Sequence, residues 1–487
     1  MGSLRSSRGY LLLALVPLTV ACTALPPPQR WTRSEETPSE GADSRQLRDT
    51  YRPPDVAPLA TIHLGQALRI ARENSPTVAA ARERIRSAQG TLAQARALSY
   101  PRLDARASAV RFIEAASFRG RTGSDVSGQG TRTRFLTGRG SDIYSGGVDL
   151  TYPVFDGGAA YFSRQAASSS VFASREEARQ SLDELELEVA ATFLNLLLLR
   201  GAIGIEEESL RFAVEQERRA RIRAEVGEGQ ALDHLRFATQ ASETQLQLNR
   251  ARANYRTEMT VLSELLATPT SETVELQAPE VGLEVPDGDR IAQAFLQRPE
   301  LAAARARIDE LEHRVAQERA SWWPAVDVFA SYGFVRLDSV QLSDQDDELQ
   351  VGGLLSWNLF EGGATRARVQ TLESAVLENR HLERQLALQV EREVKDGEIS
   401  LEVAKENVEV SRRTAELSGE VLERITAQYS AGEAEVLDVT AAEVQRTRAE
   451  LNFLSSRVQH YLAQARLRRA LGLGLREPDG RLPEAKS

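Results

Sequence analysis

The chain is poor in cysteine and in aromatic residues, and proline is missing from long parts of it. A single cysteine, Cys22, among 487 residues excludes a disulfide within the chain, and aromatic residues make up only 6%. Proline is absent from residues 154–268 and 325–477. Because proline interrupts helix interiors, both stretches can hold very long helices. The apolar run Leu196–Leu199 ends at Arg200, which indicates a packing seam and not a membrane span.

Signs of catalytic or ligand chemistry are also missing. The five histidines lack metal-ligand spacing, and no glycine-rich phosphate loop follows a strand. The pairs Gly157-Gly158 and Gly362-Gly363 more simply let a strand turn into a helix, and the acid run Glu206–Glu208 looks like a solvated helix face. The net charge of −10 is not the basic footprint of a nucleic-acid-binding protein. We therefore predict that the protein is not an enzyme and has no cofactor, no metal site and no nucleic-acid partner.

What is present, above all, is an internal duplication. The segment Pro76–Ile85 (PTVAAARERI) returns 223 residues later as Pro299–Ile308 (PELAAARARI), and Tyr152–Gly158 (YPVFDGG) returns 205 residues later as Trp357–Gly363 (WNLFEGG). The first copy therefore carries 18 extra residues between these motifs, and the polar stretch 117–140 is predicted to be a surface loop. So long a period indicates a duplicated half-protein and not a solenoid repeat.

The N-terminus predicts export and lipid attachment. Arg5 and Arg8 precede an apolar run that ends in Ala21-Cys22, the pattern of a signal peptide over residues 1–21. Cys22 stands where lipoprotein precursors carry the cysteine that receives the lipid; the alternative is an unused thiol in a discarded leader. Thr23 is not the aspartate that typically retains bacterial lipoproteins in the inner membrane, so we expect the outer membrane. Residues 22–61, interrupted by prolines, would form the lipidated N-terminal tether.

Residues 158–224 predict one long helix. Its apolar residues recur at helical spacings, and the second copy keeps much of the seam: Leu182, Leu185, Val189, Leu196 and Leu199 in the first copy, and Ala387, Val390, Val394 and Leu401 in the second. At 1.5 Å per residue this helix is about 100 Å long, too long for a globular core to bury. We therefore predict an elongated, mainly α-helical chain with coiled-coil packing between its helices.

Four segments follow a different period. Residues of about 101–112, 143–155, 324–335 and 348–360 alternate apolar and polar side chains, the signature of strands with one apolar face. Each is long enough to cross a bilayer when tilted. Four strands cannot close a barrel, and an open edge leaves backbone groups unpaired in lipid. Closure therefore requires other chains, and three copies would supply 12 strands around a polar lumen.

Aromatic residues mark the ends of these predicted membrane strands. Tyr100, Trp322 and Trp323 precede the first strand of each copy. The second strand of each copy closes with Tyr152, Phe155, Trp357 and Phe360. Aromatic side chains collect at membrane interfaces, so we predict contact with outer-membrane lipid. The alternative is that they plug the junctions between strands and helices.

With these features together, the chain resembles the TolC family of outer-membrane factors, in its lipoprotein, efflux-type branch. The resemblance rests on the duplicated order of helix, strand, loop, strand, long helix, tip and returning helix. It also rests on the motifs YPVFDGG (152–158), FEGG (360–363) and YSAGEAEVLD (429–438). It covers about residues 62–475, as two repeats, 62–285 and 286–475, followed by a flexible tail, 476–487.

This resemblance implies a homotrimer with a 12-stranded barrel in the outer membrane and an α-helical tunnel in the periplasm. It implies a periplasmic adaptor (membrane fusion) protein and an inner-membrane pump as partners. We accordingly predict the exit duct of a tripartite efflux pump, which passively exports small molecules such as drugs or metals. The alternatives are a duct for type I protein secretion and a coiled-coil envelope lipoprotein without a channel, which would have no use for four amphipathic strands.

The resemblance also implies roles for the two helix tips. The reversals at Val226, Gly227, Ala431 and Gly432 correspond to the tips that meet the adaptor in the family, although glycine suits such a turn for structural reasons alone.

The periplasmic gate of the family lies just beyond the second tip. Tyr429 and Asp438 match its pattern, whereas Ala434 and Ala441 replace the expected arginine and second aspartate. Glu433, Glu435 and Asp438, each present three times in a trimer, would make the mouth electronegative and attract cations. The alternative is an acidic helix start that the helix dipole favours.

Overall fold

The computed structural model describes residues 61–111, 142–227, 231–268, 274–277, 285–286, 288–337 and 347–475. The predictions about the signal peptide, Cys22, the tether up to residue 60, the 117–140 loop and the C-terminal tail lie outside these residues.

Six elements occur twice, in the same order, in the described chain. After a short strand, β1 (Thr61–His63), the first repeat contains α1 (Leu64–Asn74), α2 (Pro76–Ala97), β2 (Arg102–Arg111), β3 (Asp142–Phe155), α3 (Ala159–Glu225) and α4 (Ala231–Leu265). A second short strand, β4 (Glu275–Gln277), precedes α5 (Arg290–Gln297), α6 (Pro299–Ala320), β5 (Ala325–Leu337), β6 (Asp347–Ser356), α7 (Ala364–Ala431) and α8 (Val436–Ala470). The sequence did not predict β1 and β4, which pair with each other in parallel.

The helices begin and end where local chemistry directs them. Both α2 and α6 carry proline at their first position, where a missing N–H has no helical partner to lose. The long helices α3 and α7 span 67 and 68 residues without an internal proline. The predicted first long helix, 158–224, differs from α3 by one residue at each end.

The helix α3 lies at the centre of the packing. It contacts α2, α4, α6 and α8, whereas α7 packs mainly against α6 and α8. The largest apolar cluster contains Val189, Phe193 and Leu196 of α3 with no exposed surface, and Val390 and Val394 of α7 are equally buried in a second cluster. An 18-residue window of α3 has a mean hydropathy of 1.5, enough by length and composition to cross a membrane. A third of that window is buried in the single chain, and Val189, Phe193 and Leu196 of the same helix are fully buried, so we interpret α3 as a packing helix, as its sequence predicts.

A buried arginine ties the second repeat together near the C-terminal end of α8. The guanidinium of Arg298, between α5 and α6, donates to the carboxylates of Glu300 and Glu393 at 3.1 and 2.7 Å. It also donates to the carbonyl oxygen of Ala470 at 3.3 Å. These bonds hold the α5–α6 junction, α7 and the end of α8 in one arrangement.

The four longer strands form one antiparallel sheet in the order β2-β3-β5-β6. The bounds of β2, β3 and β5 differ from the predicted ones by no more than two residues. The fourth prediction, 348–360, is wrong at its end, because β6 stops at Ser356. Ser356 pairs with Ala325, the first residue of β5, and Pro324 before it has no N–H to continue the ladder. Trp357–Phe360 therefore lie beyond the sheet despite their alternating pattern.

Candidate functional site

The four-stranded sheet has one apolar and one polar face. Neighbours across the strands form apolar rows, namely Leu103, Leu150, Ala330 and Val351, and then Ala105, Val148, Tyr332 and Leu349. The alternate rows are polar, namely Asp104, Asp149, Ser331 and Gln350, and then Arg106, Gly147, Gly333 and Glu348. Because successive side chains of a strand point to opposite faces, these rows lie on opposite sides of the sheet.

The apolar face is open to its surroundings. Its large side chains, such as Leu103, Leu349 and Val351, are mostly exposed. On the polar face, Arg106 lies 3.6 Å from Asp149, and the hydroxyls of Ser108 and Ser145 are 2.8 Å apart. A sheet of 10- to 14-residue strands with an exposed apolar face and a polar face suits a bilayer on one side and water on the other.

Both edges of this sheet are long and unpaired in the described chain. The edge strand β2 pairs only with β3, and β6 pairs only with β5. Each edge spans 10 residues. Every such edge presents a row of N–H and C=O groups that would pair with another strand.

The seven predicted interface aromatics lie at the strand–helix junctions and are exposed in the single chain. Their exposed fractions range from 44% for Tyr152 to 87% for Phe360. The indole Nε1 of Trp357 donates to the carbonyl oxygen of Trp322 at 3.1 Å and so joins the ends of β5 and β6. A plug between strands and helices would bury these rings, which the single chain does not do.

Two equivalent glycine turns lead from the strands into the long helices. Gly157 and Gly362 have φ values of +68° and +62°, which favour glycine. In the first turn, the Asp156 carboxylate accepts hydrogen bonds from the N–H groups of Gly158 and Ala160 at 2.9 and 2.6 Å. The duplicated motifs therefore build strand-to-helix turns, which is the simple structural role that their sequence predicts.

The surroundings of these two turns differ. A Cβ on Gly157 would lie 2.6 Å from the carbonyl oxygen of Ala320 and 2.9 Å from Cβ of Trp323, whereas a Cβ on Gly362 would meet nothing within 4 Å. The first turn thus packs against the α6–β5 junction of the second repeat. The second turn has no such neighbour in the described chain.

The same asymmetry runs along the long helices. Whereas α3 packs against α6 and α8 of the second repeat, α7 has no comparable packing against α2 and α4 of the first. Instead α7 exposes an apolar stripe, which consists of Leu388, Ile399, Val403, Val410, Leu417 and Val421, each 45–66% exposed. Spacings of four and seven residues from Ile399 to Val421 place these residues on one helix face.

The predicted tip residues lie at the two helix reversals. Gly227 and Gly432 have φ values of +78° and +82°, and Val226 and Ala431 are exposed beside them. The N–H of Glu433 donates to the carbonyl oxygen of Gln428 at 2.9 Å, which closes the end of α7. Glycine is therefore required at both tips for the turn itself.

The predicted gate residue Tyr429 bridges the two tips. Its ring meets the buried ring of Phe237 edge-on at 5.9 Å between centroids, and the Arg223 guanidinium lies 5.6 Å from its centre. Arg223 also donates to the carbonyl oxygen of Ser430 at 2.7 Å. Burial raises the pKa of the Tyr429 phenol, and the negative charge of Asp233 raises it further, so the phenol stays neutral.

Sequence analysis missed Arg223 and Phe237 as partners of Tyr429. Arg223 comes from the first repeat, four residues before Gly227, and approaches Tyr429 although Ala434 replaces the expected arginine of the second tip. In the sequence, the signal for a role of Arg223 at the tip was its position close to Gly227.

The acidic residues of the second tip shape the start of α8. Glu435 is the N-cap, and its N–H donates to the carboxylate of Asp438 at 3.1 Å, while its own side chain accepts from the N–H of Asp438. Glu433, Glu435 and Asp438 are all exposed. These contacts match the alternative of an acidic helix start, and the gate role of the three residues stays a prediction.

The acid run 206–208 is not a uniformly solvated helix face. Glu207 bonds Arg252 of α4 at 2.7 Å and Glu208 bonds Arg446 of α8 at 2.6 Å, while Glu206 is only 9% exposed. The prediction is therefore wrong for Glu206, because α8 packs over α3 at this level.

A model of the outer membrane efflux protein family matches residues 67–268 and 291–473. The chain therefore belongs to this family, the TolC-type outer-membrane factors, which confirms both the predicted family and the predicted outer-membrane localisation. Family membership and the fold also confirm a mainly helical chain of the TolC type.

Two relatives and one solved structure illustrate the match. The chain is 24% identical over 306 residues to the outer membrane efflux protein BepC of Brucella suis biovar 1 (strain 1330), covering 61% of this chain and 65% of BepC. It is 28% identical over 264 residues to the alkaline protease secretion protein AprF of Pseudomonas aeruginosa, covering 51% and 53%. The chain thus spans just under two thirds of BepC and about half of AprF. The crystal structure of the outer membrane protein VceC from Vibrio cholerae shares the fold, with a TM-score of 0.72 at 19% identity over 85% of this chain and 97% of VceC.

The two glycine turns give a matched pair of substitutions. We expect Gly362→Ala to destabilise the single chain only by the left-handed backbone, about 1–2 kcal/mol. Gly157→Ala should add about 1–3 kcal/mol, because Ala320 and Trp323 must move. Chemical unfolding of the dissociated, detergent-solubilised chain measures the difference. Equal losses for the two variants would contradict the packing at Gly157.

Proposed function

We propose that this chain forms, as a homotrimer, the outer-membrane exit duct of a tripartite efflux pump. The observation that carries the proposal is the two-faced sheet with two open edges, attached to helices of 67 and 68 residues. Such a sheet suits a bilayer only when every edge is paired, so other chains must complete it.

The duplication supports closure between copies. Within the chain, β3 of the first repeat pairs with β5 of the second. The equivalent pair would join β6 of one chain to β2 of the next, and three chains would then close a 12-stranded barrel. Its apolar face would contact outer-membrane lipid, with the seven junction aromatics at the interface on the side of the helices, and its polar face would line the lumen.

The helices support the same closure. By the equivalence of the repeats, α7 would pack against α2 and α4 of the next chain, as α3 packs against α6 and α8 within one chain. The exposed stripe of α7 and the exposed Leu232, Leu235 and Leu246 of α4 supply apolar surface for that contact. The result would be a helical tunnel that continues the barrel into the periplasm.

The duct is proposed to be passive and to depend on partners. A periplasmic adaptor (membrane fusion) protein would meet the tips at Val226, Gly227, Ala431 and Gly432, and an inner-membrane pump would supply the energy. A signal peptide over residues 1–21 and a lipid on Cys22 would complete the membrane attachment. The chain carries out transport and not catalysis, in keeping with its family.

A second candidate is a duct for protein secretion, which the similarity to the alkaline protease secretion protein AprF favours. The similarity to the efflux protein BepC and the predicted lipid attachment favour small molecules. A coiled-coil spacer without a channel leaves the exposed apolar face of the sheet without a purpose.

Deletion of the gene from its host tests the function. We expect greater sensitivity to drugs or metals, restored by the intact chain, because the exit route for small molecules is lost. Growth inhibition across a compound panel and the content of secreted protein are measured together. A defect in protein secretion alone would establish the second candidate. No change in compound sensitivity and no change in secretion would favour the coiled-coil spacer.

A substitution in the exposed apolar stripe of α7 tests whether the chain forms the proposed trimer. Val403→Arg should remove most of the trimer, because an unpaired guanidinium in an apolar interface costs several kcal/mol. The native mass after detergent extraction, corrected for bound detergent, should fall from three chains to one. The neighbouring Glu402→Arg changes a residue beside the stripe and should leave the mass unchanged. A trimer that survives Val403→Arg as well as Glu402→Arg would contradict this interface.

The gate is tested by removing charge without removing the helix cap. Asp438→Asn keeps a side-chain oxygen for the N–H of Glu435, since Asn and Asp cap helices about equally well. We expect weaker block by divalent cations and an altered single-channel conductance in planar bilayers, because the proposed mouth loses three negative charges. Asp396→Asn, an exposed acid far from the tip, is the control. An unchanged conductance together with unchanged block in Asp438→Asn would refute the gate assignment.

A further inference from the structure

A buried cluster of carboxyl groups lies in the seam between α3 and α8 and serves none of the roles described above. Glu443 of α8 is 1% exposed and Glu206 of α3 is 9% exposed. Oxygen Oε2 of Glu443 is fully buried and has no hydrogen-bond partner among the residues that the structure describes. A buried carboxylate normally requires an ion pair and hydrogen bonds for every oxygen, so this atom calls for an explanation.

The neighbouring arginine does not supply the missing charge. The guanidinium of Arg446 donates to Glu208 at 2.6 Å and to Glu450 at 2.8 Å, but its closest approach to Oε2 of Glu443 is 3.9 Å. Its one positive charge is therefore shared among three carboxyl groups, with Glu206 as a fourth acid nearby.

The other helices packed here bring no further cation to the pair. On α4, Arg252 is bonded to Glu207. On α7, Ile425 contacts the same apolar cluster as Val439 of α8, and the charged residues of that stretch, Glu420, Glu423 and Arg424, are exposed. The hydroxyls of Ser209 and Thr447 are the polar neighbours of Glu443.

We propose that Glu206 and Glu443 form a proton-binding site that holds α8 against α3. A proton on Glu443 removes the charge from a buried carboxyl group whose Oε2 has no hydrogen-bond partner among the described residues. When that proton leaves, the seam holds two buried carboxylates, Glu206 of α3 and Glu443 of α8, and it loosens. A divalent cation suits the site less well, because the Arg446 guanidinium already lies 3.9 Å from the open oxygen.

The pKa values of both carboxyl groups shift in the direction that their burial requires. Burial raises the pKa of Glu206 above its ordinary 4.5, and the charge of Glu443 raises it further. Burial likewise raises the pKa of Glu443, against the Ser209 hydrogen bond and the Arg446 charge. Since both folded-state pKa values are raised, the stability that the pair contributes is fully present below pH 4.5 and is lost as the pH rises through the raised values.

The site lies close to the periplasmic tip. Glu443 is seven residues into α8, about 10 Å from its first residue at 1.5 Å per residue. As a consequence that rests on the proposed function, alkaline conditions would favour a more mobile mouth.

Hydrogen exchange of the full-length, detergent-solubilised protein tests the site without any need for conduction. Between about pH 5 and about pH 8, protection of the amides at 437–450, corrected for intrinsic exchange, should fall with rising pH. The fall should reach about tenfold per pH unit, because one pKa unit is a tenfold change in the linked equilibrium. Glu443→Gln should keep high protection throughout, since its amide is neutral at every pH, and Glu206→Gln should weaken the pH dependence, since one of the two buried charges is gone.

The control is Glu207→Gln, which removes the half-buried acid next to Glu206, the partner of Arg252, and should retain the pH dependence. Protection that does not vary with pH in the wild-type chain would overturn the proposal. So would an equal loss of pH dependence in Glu207→Gln, or protection that responds to added divalent cations instead of protons. The conduction of the wild-type chain in bilayers tests the duct separately.

Discussion

Backbone hydrogen bonds that cannot be left open in hydrocarbon are the constraint on which this structure depends. The sheet has two edges of 10 residues, each with a row of unpaired N–H and C=O groups beside an exposed apolar face. Water can form hydrogen bonds with these groups, whereas the hydrocarbon core of a bilayer cannot. In the proposed duct, another copy of the chain pairs with these edges and completes the sheet.

The duplication explains how one chain can carry both halves of that contact. The first repeat meets the second through β3 and β5, through α3 with α6 and α8, and through the packed turn at Gly157. The second repeat presents the equivalent surfaces, namely the outer edge of β6, the stripe of α7 and the turn at Gly362, and none of them has an equivalent partner in the described chain. A surface of one copy that matches a different surface of the next generates a ring when the rotation closes.

The long helices must also be held together at a distance from the sheet, and they use polar contacts to do so. Arg298 joins the α5–α6 junction to the middle of α7 and the end of α8, and Arg223 and Tyr429 join the two tips. Between these contacts lies the proposed proton-binding site of Glu206 and Glu443, in a seam that also contains the Arg446–Glu208 ion pair.

The sequence by itself determined the duplication, both long helices and the position of three membrane strands, because periodicity and the absence of proline act locally. It did not determine where β6 ends, since Leu355, Trp357 and Leu359 alternate beyond the point where Pro324 ends the partner ladder. Nor did it separate Glu206 from Glu207 and Glu208, because three adjacent acids look alike until α8 covers one of them. Which arginine approaches Tyr429, and which carboxyl group is buried, were decided only by the tertiary structure, since both depend on contacts between helices more than 200 residues apart in the chain.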